Sequence, residues 1–181
     1  ALCHDLGKIV STTMRDDRVV SYGHEVTGVA LAKTMLARVT RIKKQIDAVG
    51  LLVRYHLAPV QFIEQQAKNP AYKKLAKAIY PQVTFEMLAD LARADKRGRN
   101  GSSNQPFTSA IPQVDLFMQK VQSLDLIHGP EKPLLTGKDF LGQVPEGITI
   151  ATMVNYAYEI QIEQSINDKD ELMRLVRIKF A

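Results

Sequence analysis

The feature that most constrains this chain is the period of its apolar residues. They recur at helical spacing along most of its length, and no run alternates apolar and polar residues between turn signals as a half-buried strand would. Val26, Val29, Ala30, Ala32, Met35 and Leu36 form one stripe, with Lys33 and Arg38 elsewhere on the wheel, which predicts a core-facing helix starting after Tyr22-Gly23. Ile46, Val49, Leu52 and Val53 form a second stripe that ends near His56, because Pro59 disfavours helical backbone in the residue before it. Further helices are expected around Val60 to Ala67, Tyr72 to Ile79, Phe85 to Lys96, Val114 to Leu124, Ile148 to Gln164 and Asp168 to Lys179. Thr136 and Asp139 have the Thr-x-x-acid spacing that caps a short helix. Gly7 reads as a helix stop, Ile9 to Gly23 as a polar connection and His128 to Pro133 as a loop. The fold class is therefore all-α.

The 181 residues, 45% of them hydrophobic, suffice for one well-buried core, or a core and a small appendage. Gly98, Gly101, Ser102, Ser103 and Pro106 favour irregular backbone across Arg97 to Phe107 and place the expected seam there. A helical bundle over residues 1–100 would precede a helical appendage over 101–181. Lys and Arg number 24 against 19 Asp and Glu, and the resulting +5 charge favours phosphate-bearing partners without demanding them. One cysteine, Cys3, excludes an internal disulfide framework and fits a reducing compartment. No apolar run reaches the ~18 residues that span a bilayer, so a cytoplasmic location and no membrane partner are expected.

The chemistry begins at once, with His4 and Asp5. Together they offer a borderline nitrogen ligand and a hard carboxylate, a set suited to Mn, Fe, Co, Ni or Zn and unlike a structural thiolate zinc site. Adjacent residues on a regular helix point about 100° apart, so they share an ion most easily at a helix end. On spacing alone a chance dipeptide at a turn explains the pair equally well. His24 could be a capping-region imidazole, His56 a half-buried core residue, and Asp95 an exposed acid pairing with Arg99.

The stretch Ala1-Leu2-Cys3-His4-Asp5-Leu6-Gly7-Lys8 resembles the ALxHDLGK signature of HD-superfamily metal-dependent phosphohydrolases. The family pattern is an upstream His, the His-Asp pair, one or two further His and a distant Asp at a helix end. The resemblance implies His4, Asp5, His24, His56 and Asp95 as ligands of a divalent metal (Mn, Ni, Fe, Co, Zn or Mg), with Asp5 able to bridge two ions. It makes Asp5 and Lys8 the catalytic residues, Lys8 meeting phosphate. The upstream His has no counterpart, and Ala1-Leu2-Cys3 reads as the last turn of a helix, so that ligand is expected in a segment ahead of Ala1.

A narrower resemblance covers nearly the whole chain. Ala94-Asp95-Lys96-Arg97-Gly98-Arg99 resembles the AD-x-RGR motif of the HD domain in bacterial CCA-adding tRNA nucleotidyltransferases, and Leu134-Leu135-Thr136-Gly137-Lys138-Asp139-Phe140 their LLTGKDL motif, which bacterial poly(A) polymerases share. Ala157 to Glu163 is similar to that family's late helix, with Gln164 where a Gly is usual. This likeness implies Lys96, Arg97 and Arg99 as phosphate or RNA contacts and a nucleotide or RNA-end phosphate as substrate. The family's Gly-Gly-x-Val-Arg-Asp transferase stretch is absent from the chain, which alone should not add nucleotides. The alternative is a non-catalytic body or tail that grips tRNA through Arg41, Lys43 and Lys44 or Lys73, Lys74 and Lys77.

Overall fold

A computed structural model describes residues 1–98, 110–142, 144 and 148–180. Its elements run α1 (Lys8–Ser11), β1 (Thr13–Arg15), β2 (Arg18–Val20), α2 (His24–Ala37), α3 (Lys43–Tyr55), α4 (Ala58–Glu64), α5 (Asn69–Ile79), α6 (Phe85–Gly98), α7 (Pro112–Ser123), a 3-10 turn at Gly137–Phe140, α8 (Ile150–Gln164) and α9 (Lys169–Phe180). The fold is all-α, with one small hairpin among the described residues. Two compact units divide it: Ala1–Ala67 with Ala76–Gly129, and Lys68–Leu75 with Pro130–Ala181. The seam expected over Arg97 to Phe107 lies mostly outside the described residues.

In the first unit, Cys3, Ala32 and Val53 form a buried core beneath the opening turn, flanked by Leu6, Val29, Met35, Leu36 and Val49. Val60, Ala89, Ala92 and Val114 form another among α4, α6 and α7. In the second unit, Leu135, Phe140, Met153, Ala157, Ile166, Leu172 and Val176 join the 3-10 turn to α8 and α9. The cap expected from Thr136 and Asp139 is a reciprocal capping box on that turn.

Three expectations need correction. The connection from Ile9 to Gly23 holds α1 and a hairpin pairing Thr13 with Val20, Met14 with Val19 and Arg15 with Arg18. Its turn residues Asp16 and Asp17 both have positive φ, 50° and 55°, a two-residue turn whose twist suits paired strands and which Asp tolerates. Five of its six strand residues are exposed, so burial on one face imposes no alternation for the sequence to show. Gly7 does not stop a helix through left-handed backbone: at φ −63° it precedes α1, and a Cβ there would lie 1.9 Å from the His24 carbonyl oxygen. Space, not φ, requires glycine.

The buried line of α2 also differs. It is His24, Gly28 and Ala32, spaced four apart, while Val26 and Ala30 face outward. The helix turns its smallest residues inward because Gly28 meets Gly7, where a Cβ would stand 3.1 Å from the Gly7 nitrogen. That contact lets the His-Asp turn lie directly on α2.

Candidate metal centre

Four segments of the first unit bring the centre together. His4 and Asp5 sit in the hydrogen-bonded turns before α1, with His4 N donating to Ala1 O at 3.2 Å and Leu6 N to Cys3 O at 3.3 Å. His24 is the first residue of α2, His56 follows the last residue of α3, and Asp95 lies in the last turn of α6. All five residues singled out as ligands thus meet in space. His24 and His56 are buried, 8% and 1% exposed, rather than partly exposed at a cap or half-buried.

One detail repeats at each histidine. The Nδ1 of His4, His24 and His56 lies 2.5, 2.8 and 2.8 Å from the carbonyl oxygen three residues earlier, those of Ala1, Ser21 and Val53. A carbonyl only accepts, so Nδ1 carries the proton and the neutral ring presents a lone pair at Nε2. The same bond fixes the tautomer and aim of all three rings, as outer-shell partners do for metal-bound histidines.

Those lone pairs converge. The Nε2 atoms of His24 and His56 are 3.3 Å apart, and His24 Nε2 is 3.3 Å from Asp5 Oδ1, a buried oxygen without a hydrogen-bond partner among the described residues. His4 Nε2 lies 3.2 Å from Asp95 Oδ1 and 3.4 Å from Asp5 Oδ2. Two groups result, Asp5–His24–His56 and His4–Asp5–Asp95, each with its ligand atoms within 4.8 Å of one another and with Asp5 common to both. Electron-rich atoms facing each other at such distances repel unless a cation lies between them.

Charge and burial fit a metal. Desolvation, the largest influence on His56, pushes its pKa below the ordinary value; His4 and His24 act in the same direction, while the Val53 carbonyl and Asp95 oppose. Neutral imidazole is the form that ligates. Mixed imidazole and carboxylate donors suit Mn, Fe, Co, Ni or Zn better than Mg, which prefers oxygen. Cys3 belongs to neither group and is buried in the core.

Lys8 reaches Asp5 Oδ2 at 2.6 Å. It lines a cleft of about 200 Å³ with His4, Asp5, Leu91, Asp95 and Gly98, which opens the centre to a small anion. Lys96 and Arg97 follow Asp95 on α6 but are not among the described lining of that cleft. Arg99 lies outside the described residues. His128 lines a separate cleft of about 270 Å³ with Tyr80 and Glu86, where among the described residues no ligand group gathers, so size alone does not mark the chemistry. Sequence reasoning missed Gly28; its signal was a glycine inside a continuous helical pattern, where it costs helix stability and needs a packing reason.

Comparison with known proteins agrees with the tail motifs and the centre. The chain is 32% identical over 119 residues to a multifunctional CCA protein of Nitrosococcus oceani, covering 61% of this chain and 27% of that protein. It is 30% identical over 133 residues to a multifunctional CCA protein of Hahella chejuensis, covering 72% and 30%. The chain is related to multifunctional CCA proteins. It spans less than a third of either relative. No protein-family model and no solved structure matches this CCA-related region. Among the described residues, no helix is long and apolar enough to cross a membrane.

Proposed function

We propose that this CCA-related region is an HD-type metal-dependent phosphohydrolase acting on nucleotide or RNA-end phosphates. The observation that carries the reading is the convergence of three Nε2 lone pairs on two carboxylates, each imidazole held by the same backbone bond. His4, Asp5, His24, His56 and Asp95 would hold the ion. A bound divalent metal would supply Lewis acidity toward a phosphoryl oxygen and charge to offset what builds up in transfer. The chain's own residues do the rest. The backbone bonds keep the imidazoles neutral and aimed, so little reorganisation is needed when substrate arrives. Lys8, 42% exposed at the cleft, is placed to orient an incoming phosphate by charge.

Hydrolysis of a 2′,3′-cyclic nucleotide, with Mn²⁺ or Ni²⁺ added or chelated, tests the reading. Metal-dependent turnover in the parent and its loss in Asp5→Ala is the expected outcome. A folded protein that binds metal but turns over neither cyclic phosphates nor phosphomonoesters would sink it.

A second reading, a tRNA-gripping body, draws on one corner of the first unit. Arg38, Arg41 and Lys44 are exposed between α2 and α3 with no carboxylate partner among the described residues, whereas Lys43 is tied to Asp47 at 2.5 Å. Lys73 and Lys74 are poorer candidates, being paired with Glu131 and Glu163. tRNA binding that survives chelation and weakens steeply with salt would favour this reading.

A further inference from the structure

We infer that Lys8 takes the place of a second divalent cation, so that the centre binds one ion through Asp5, His24 and His56 while the His4–Asp5–Asp95 group stays closed to metal. The inference rests on the metal-centre reading above. It follows from the unequal state of the two Asp5 oxygens. Oδ1 is buried without a hydrogen-bond partner and faces His24 Nε2 at 3.3 Å. Oδ2 faces His4 Nε2 at 3.4 Å and is held by the Lys8 ammonium at 2.6 Å. One side of the carboxylate lacks a cation and the other has one.

Charge makes the asymmetry matter. The His4–Asp5–Asp95 group brings two carboxylates and the Asp5–His24–His56 group only one, so without Lys8 the first would be the stronger attractor of a divalent ion. The ammonium cancels that advantage and must leave Oδ2 before a metal can bind there. Lys8 is three residues beyond Asp5 at the start of α1, so their contact is local and persists whatever else occupies the cleft. Because the lysine is 42% exposed, solvent weakens its effect, and the second ion is disfavoured by about tenfold or more rather than excluded outright.

The experiment is equilibrium dialysis of the full chain against Mn²⁺ alone, with metal per chain counted by elemental analysis. Four proteins are compared: the parent, Lys8→Arg, Lys8→Met, and Lys8→Met combined with Asp95→Asn. The Lys8 head group meets only Asp5 among the described residues, so matching thermal melts are expected for the parent and both single variants. One ion is expected for the parent and Lys8→Arg, two for Lys8→Met, and one again when Asp95 is also changed. Equal counts in the parent and Lys8→Met, whether one or two, overturn the inference and leave the metal centre standing. No ion in any of the four removes the metal-centre reading and the inference with it.

Discussion

Two buried polar clusters in this molecule are built on opposite rules. In the second unit, Gln161 is 4% exposed and fully partnered: its Oε1 accepts from Leu134 N at 2.9 Å, and its Nε2 donates to Lys132 O at 3.0 Å and Glu131 Oε1 at 3.2 Å. Tyr158 adds a bond to Glu131 O at 2.6 Å, so α8 fastens the loop ahead of the 3-10 turn at several points. In the first unit, donors are spent on backbone carbonyls and acceptors are left facing acceptors. A polar group kept for stability satisfies itself, because an unmet buried partner costs roughly 1–3 kcal/mol. A cluster that gives up this satisfaction is organised around something that must come from outside.

The contrast breaks first at Asp5. Asp5→Asn should weaken Mn²⁺ binding by more than ~100-fold, beyond the 10–100-fold typical of outer-shell changes, since Asp5 is common to both ligand groups. Without metal the same variant should melt no lower than the parent, because it removes a carboxylate that faces lone pairs. Calorimetric titration and a thermal melt check both halves; a large loss of metal-free stability would contradict the contrast. Gln161→Leu should behave inversely. It strands the Leu134 amide and the Lys132 carbonyl and should cost about 2–3 kcal/mol in urea unfolding. Mn²⁺ affinity should not change.

These effects bear on what a sequence can disclose. His4, Asp5, His24, His56 and Asp95 were legible as a set because their residue types and order follow a known pattern, and the spacing of apolar residues was enough to place most helices. The sense of α2 was not legible. Its hydrophobic stripe pointed to Val26 and Ala30, yet the helix buries Gly28, since closeness of backbones rather than apolar area decides which face meets the His-Asp turn. The hairpin was hidden because short exposed strands carry no burial period. Nor could spacing reveal the three matching Nδ1 bonds, which depend on where each preceding turn sets its carbonyl.

Gly28→Ala sharpens the point at smaller scale. The added methyl would stand 3.1 Å from Gly7 N and 3.2 Å from a Val53 methyl, tighter than either neighbour allows without shifting. Alanine gains about 1 kcal/mol in helix propensity, which offsets most of an overpacking cost of ~1–3 kcal/mol. Stability should therefore fall by about 1 kcal/mol or less while Mn²⁺ affinity drops about tenfold, because His4 and Asp5 move off His24. A variant that binds metal as the parent does would show that the glycine contact does not set the geometry of the centre.

The smallest effect belongs to Asp139, where the second unit keeps a charge it has fully partnered. The Lys169 ammonium, foremost, and the Thr136 amide and hydroxyl hold its pKa at about 2 instead of 3.8. A carboxyl lowered on folding stabilises the folded state fully above its unfolded pKa, near 4, and loses that contribution as pH falls toward 2. Asp139→Asn keeps an oxygen able to accept from Thr136 but loses the attraction to Lys169. The urea midpoints of parent and variant, followed by far-ultraviolet circular dichroism, should differ by a constant amount between about pH 5 and 7 and draw together below about pH 4. A gap that stays constant down to pH 2 would mean that the cap works through neutral hydrogen bonds and that Lys169, exposed to solvent, adds nothing through its charge.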